Sequence, residues 1–203
     1  MSQIKLLHSG GNGVSIVAPD SNPASDRTLK LPSDGDGTIL TTNSSVGKIL
    51  QVQQTHYSGR VSASIASGGE WAPSQLNCSI TPSATTSKVL ITAKVAMGIN
   101  VNTRRIFMSC YRDSTQIAKA DASGNNTLVM SSALDIRYDD VVEDQFFQFL
   151  DTPNTTSATT YSFRFLHSQT ATATLYINRA HSILDRVQDA FLTSNVTLQE
   201  VGA

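Results

Sequence analysis

Four carboxylates fall within six residues of this chain, Asp139, Asp140, Glu143 and Asp144 in RYDDVVEDQ, and they are its densest group of chemistry-bearing side chains. Oxygen ligands at that density can hold a hard cation, or they can repel one another into solvent beside Arg137. Asp34 and Asp36 in SDGDGT look like the start of a calcium loop, but the distant bidentate Glu that such a loop needs is missing. Asp-Gly is also a preferred turn pair, so a tight turn is the plainer reading. The histidines, His8, His56, His167 and His181, lie far apart, and none sits in HExxH or another ligand spacing. No GxSxG elbow, phosphate-cradling glycine loop or cysteine-nucleophile signature is present. The expectation is a protein that is not an enzyme, with no cofactor and no required metal.

Binding chemistry has a few candidates. Arg104 and Arg105, close to Asn100 and Asn102, start a strand and could line a groove for acidic glycans; protection of an edge strand explains them equally. Tyr57 and Trp71 could stack on sugar rings, although a buried anchor is the commoner fate of a lone Trp. Cys78 and Cys110 have neither disulfide-framework nor metal-ligand spacing and read as small core residues.

These residues must be positioned by strands. Charged residues make up only 15% of the 203, against about 25% in a usual soluble domain, and Ser, Thr, Asn and Gln take their place. Such a surface suits strands whose polar faces meet water or sister chains, because Thr is a good strand former. With a net charge of -1, nothing concentrates the chain on phosphate backbones or anionic lipid, which argues against nucleic acid as a partner. No stretch approaches a membrane span, so no membrane insertion is expected. The first residues lack the apolar core of a signal peptide, so the protein is expected to stay in a cytoplasm until released.

Residues 1–46 differ in character from the rest. They are dense in Gly, Pro, Asp, Ser and Asn, with strand candidates at Val14–Val17, Thr28–Leu31 and Thr38–Leu40. Patches this short cannot offset the ordering of ~45 residues, at roughly 1–2 kcal/mol each for backbone alone, so the segment is expected either to be disordered when free or to pack against copies of itself or another protein. Ile4, Leu6, Leu7, Val14, Ile16 and Val17 are its candidate attachment residues, and Gly10, Gly11 and Gly13 read as a flexible break after a docking tip.

From residue 47 onward the pattern alternates cleanly, as in half-buried antiparallel strands. Val89, Ile91, Val95, Ile106, Met108, Phe163, Phe165, Leu175, Ile177, Val196 and Leu198 fall on apolar faces and are the expected core. About ten strands are expected over 47–203. The fold class is therefore all-β, a short N-terminal β-shaft or attachment segment followed by an antiparallel jelly-roll-like β-sandwich. One segment resists: SILDRVQDAFL has Ile183, Leu184, Val187, Ala190 and Phe191 at helical spacing after Ser182, and reads as a helix or as an extended loop.

Six blocks carry a resemblance: GKILQVQQT at 47–55, NCSITPSATTSKVLITAKV at 77–95, YRDSTQIAKA at 111–120, DTPNTTSATTYSFRF at 151–165, LYINRA at 175–180 and SNVTLQEVGA at 194–203. In this order they resemble a β-domain family of tail-fibre and virion structural proteins of phages, especially phages of cyanobacteria and marine bacteria. RTLKLPSDGDGTILTT at 27–42 is similar to the segment that precedes such domains. The resemblance implies a bacteriophage structural protein located in the virion and assembled as a homotrimer, a short tail fibre or fibre tip that contacts other virion proteins through 1–46. A host surface glycan is a candidate partner of the outward domain, and a capsid decoration or head-fibre protein without a receptor role is the alternative. RYDDVVEDQ and SILDRVQDAFL stand outside the shared blocks, which marks them as places for contacts particular to this chain.

Overall fold

The computed structural model describes residues 3–7, 9–11, 13–17 and 48–202, apart from 103, 123, 125–127, 130, 187 and 188. For 3–7, 13–17 and 131–135 it describes the backbone. The chain divides into two compact units, 1–41 and 42–203. The boundary expected after residue 46, the strand candidates at 28–31 and 38–40, and Asp34 and Asp36 all lie outside the described residues.

In the first unit β1 (Gln3–Leu7) and β2 (Gly13–Val17) pair as an antiparallel hairpin that sets Ile4 opposite Ile16 and Leu6 opposite Val14. This corrects the reading of a docking tip separated by a flexible glycine break. Gly13 is the first residue of β2 and pairs with Leu7, while Gly11 takes a φ of +90°, which an L side chain rarely adopts. The glycines serve a chain reversal, and Gly-Asn-Gly at 11–13 is a hairpin signal in its own right.

The second unit is all-β; among its described residues there are eleven strands and no α-helix. They are β3 (Ile49–Tyr57), β4 (Val61–Ile65), β5 (Cys78–Ile80), β6 (Lys88–Ile99), β7 (Arg104–Arg112), β8 (Thr115–Ile117), β9 (Ser131–Ile136), β10 (Glu143–Asp151), β11 (Thr159–His167), β12 (Ala173–Ile177) and β13 (Ser194–Val201). One antiparallel sheet runs β3-β13-β6-β12-β4 with β10 also on β6; the other runs β5-β11-β7-β8 with β9 also on β7. Together they make the jelly-roll-like sandwich that the alternation predicts.

Every residue of the expected core is fully buried between the sheets. Phe147 meets Phe163 edge-on, with ring centroids 5.5 Å apart. Cys78 and Cys110 are buried with them. Burial and the neighbouring Asp151 carboxylate push the Cys110 thiol up to about 12, so it stays protonated and unreactive.

β6 organises the first sheet. Its first half pairs with β13 through Lys88–Lys94, and its last residues pair with β12 through Met97 and Ile99 on the same edge. β12 and β13 are therefore two pieces of one strand line, interrupted by residues 178–193. β3 and β4, their partners, form a second broken line interrupted at 58–60.

Asn178 splices both breaks and is wholly buried, with a left-handed φ of 63°. Its side-chain amide donates to the carbonyls of Tyr57 and Gly59, each at 2.8 Å. Its Oδ1 accepts from the Ser194 hydroxyl at 2.6 Å, and the same hydroxyl oxygen accepts the Ala96 N–H. The chain leaving Asn178 passes so close over β6 that a Cβ on Gly98 would lie 2.5 Å from the Arg179 carbonyl oxygen, so only glycine fits there.

Candidate functional site

The loop at 179–193 crosses the outer face of β6, which explains why Ala96, outward by alternation, is buried. On the far side it meets the loop that leads into β10. His181 N–H and Ser182 N–H both donate to the Asp139 carbonyl, each at 3.0 Å. The two segments outside the shared sequence blocks are thus brought together, and a cleft of about 180 Å³ opens between them. Val142, Ala180, Ile183, Ala190 and Leu192 give it apolar walls, while Asp140, Ser182 and Asp189 supply oxygens.

Among the described residues of 182–192 none is helical, which decides for the loop. Asp185 has a φ of 56°, outside the helical region, and the Asp189 carboxylate accepts the N–H groups of Leu184 (2.8 Å) and Arg186 (3.0 Å). A side chain that captures two amides offers the backbone a turn in place of a helix. The Ser182 amide is already committed to Asp139.

Arg186 ties the cleft rim together, 2.9 Å from Asp189 and 3.9 Å from Asp140. Its guanidinium first, then the amides of Arg186 and Leu184, hold the Asp189 carboxyl down to about 2. The loop is anchored on its other side by aromatic contacts. Tyr176 shares a 2.7 Å hydrogen bond with His181 Nδ1 and lies under Arg179, and Arg60 sits 4.1 Å from the centre of the Phe191 ring. Tyr138, Leu184 and Phe191 are large apolar side chains left in solvent around this site.

The four carboxylates of the acidic run do not converge. Asp144 points outward from β10 and pairs with Lys94 at 3.1 Å, Asp140 faces Arg186, and Asp139 serves through its carbonyl. Among the described residues no group of three or more His, Cys, Asp or Glu is placed to hold a metal ion.

Tyr57, Trp71, Arg104 and Arg105 fall on separate elements. Trp71 makes a two-way backbone bridge to Phe165 and packs its ring 6.4 Å from it, the anchor role of a lone Trp. Tyr57 closes β3 and is partly buried against the core. Arg104 and Arg105 begin β7 opposite Ile136 and Asp135, and Arg105 exchanges hydrogen bonds with Ser168. The attachment residues Ile4, Leu6, Leu7, Val14, Ile16 and Val17 lie on the β1–β2 hairpin.

The opposite end of the sandwich holds two buried carboxylates, Glu200 and Asp151. Although burial raises it, Glu200 is held down to about 2 by hydrogen bonds from the Ser83 hydroxyl, Gln51, Ser87 and the Ser83 amide, which fasten the 81–87 connection. Asp151 accepts from Arg112 at 2.9 and 3.0 Å and from the Tyr161 hydroxyl at 2.7 Å. Burial, with that bond, raises the Tyr161 phenol far above its ordinary range.

No family model matches the chain, and no curated protein matches it. Among solved structures it is similar to a structure of infectious bursal disease virus strain Gx, at 13% identity and a TM-score of 0.41, over 85% of this chain and 42% of that one. It is similar at the same identity and TM-score to the VP2 subviral particle of infectious bursal disease virus, over 94% of this chain and 51% of that one. The chain spans about half the length of these structures.

Proposed function

We propose that this chain is a non-catalytic structural subunit of a bacteriophage particle, a short trimeric tail fibre or fibre tip. Residues 1–46 join it to other virion proteins, and the sandwich faces outward, with the cleft between the 137–142 and 179–193 loops offered to a host surface glycan. The polarity of the sandwich carries this reading. The chain enters at Lys48 and returns at Gly202 on one end, where Gly202 N–H donates to the Lys48 carbonyl at 2.9 Å. The two segments outside the shared blocks meet level with Met97, nine residues further along β6 and so roughly 30 Å away. Loops carried by a rigid β-scaffold, remote from the point of attachment, are where recognition is normally placed.

The test is a pair of phage particles. In one, residues 183–190 are replaced by a Gly-Ser linker; in the other, residues 1–46 are deleted. The first is expected to incorporate normally and to lose adsorption to the host about tenfold or more, and the second to be absent from particles. Normal adsorption with the linker would overturn the receptor role in favour of a decoration protein. Normal incorporation without 1–46 would overturn the attachment role.

A further inference from the structure

The outer face of the β3-β13-β6-β10 sheet has two apolar rims. β10 presents Phe146 (63% exposed) and Leu150 (45%), and β3, the opposite edge, presents Val52 (53%) and Ile49 (47%). Edge strands of monomers are normally guarded by charge, proline or brevity, yet β3 runs nine residues, ILQVQQTHY, without a charged residue or a proline. β10 is also nine residues long and is antiparallel to β6, whereas β3, antiparallel to β13, runs with β6.

The rims therefore point in opposite directions. They are also level, since Leu150 pairs with Leu90, Leu90 with Gln199 and Gln199 with Val52, which puts all four on one rung. Rotation about an axis along the strands preserves both direction and level. It would bring the β10 rim of one copy against the β3 rim of the next, antiparallel, with Leu150 facing Val52. The charged neighbours Lys94 and Asp144 neutralise each other at 3.1 Å, so the face does not repel its own copy through that pair.

We infer that this face is the contact between copies of the chain, the β10 rim of each packed on the β3 rim of the next in a closed three-fold ring. A head-to-tail contact of this kind uses two different patches on each subunit, and the occupant that supplies both is a second copy. The inference rests on the proposal that the chain works as a trimer, and it names the surface that makes it one.

The experiment is cross-linking of the full chain with a short bifunctional maleimide, comparing Val52→Cys, Leu150→Cys and the double variant. Light scattering on the unmodified protein at micromolar concentration runs alongside. The native Cys78 and Cys110 are buried and do not compete in the folded protein. The expected result is a scattering mass three times 21.8 kDa, a covalent trimer from the double variant, and no cross-linked product from either single variant. Dimers from Leu150→Cys alone would overturn the head-to-tail contact in favour of a two-fold one. A three-copy mass with no cross-link in the double variant would overturn this face while leaving the trimer standing. A one-copy mass would remove the trimer itself.

Discussion

At the end of the sandwich where the chain enters, the connections are held by carboxylates taken out of water. Glu200 grips the 81–87 segment, and Asp151 binds Arg112 and Tyr161 across the sheets. At the cleft end, the 137–142 and 179–193 loops are held by main-chain bonds to Asp139 and by Arg186, itself partly in solvent, which reaches the largely buried Asp189 and, more loosely, the exposed Asp140. Buried charge leaves a severe penalty when its partner goes, so it fixes one geometry. An ion pair in solvent is worth little and is easily exchanged. One end is thus built to stay fixed, and the other can change sequence without unfolding the sheets behind it.

The interior common to both ends sets the scale. Phe163→Ala empties the ring site against Phe147 and is expected to cost about 3–5 kcal/mol in denaturant unfolding. A loss below about 1 kcal/mol would mean that this core does not carry the sandwich.

Glu200→Gln probes the fixed end. The folded pKa of about 2 lies below the ordinary 4.5, so the carboxylate contributes stability above pH 4.5 that is lost as pH falls through about 2. The variant is expected to be less stable by about 2–3 kcal/mol at pH 7 and to lose less than the parent when both are melted between pH 4.5 and 2. Parallel pH profiles would show that the clamp is not electrostatic.

Arg186→Ala probes the exchangeable end and should have the smallest effect. The melting temperature is expected to stay put, while limited proteolysis within 183–190 speeds up. A melting temperature lowered as far as in Glu200→Gln would erase the contrast between the ends.

The strand lines were legible because alternation is local: each of Val89, Ile91, Phe163, Leu175 and Val196 sits where period two places it. β5 was not, since three residues, Cys78–Ile80, are too few for a period and are ordered by pairing with β11. The spacing of Ile183, Leu184, Ala190 and Phe191 suggested a helix, but Asp189 redirects the amides, a choice made by one side chain five residues downstream of Leu184. The joining of Asp139 to His181 and Ser182 is a contact between segments about forty residues apart and leaves no local mark. Asn178 could have been suspected as an Asn at the end of a strand, where left-handed backbone is tolerated. That it holds two broken strand lines together follows only from the pairing of β3, β4, β12 and β13 beside β6.

The Gly202–Lys48 bond has a mechanical meaning. Because β3 leaves the entry point and runs toward the cleft end beside β13, a pull between Lys48 and a body held at the cleft runs along the strands. It loads the eight β3–β13 residue pairs together in shear. A pull between Lys48 and Gly202 would instead open the same pairs one at a time, from the end. The proposed arrangement, with the particle on the Lys48 side and a receptor at the cleft, corresponds to the first kind of load, so resistance to force at this joint depends on which two points of one small fold are held.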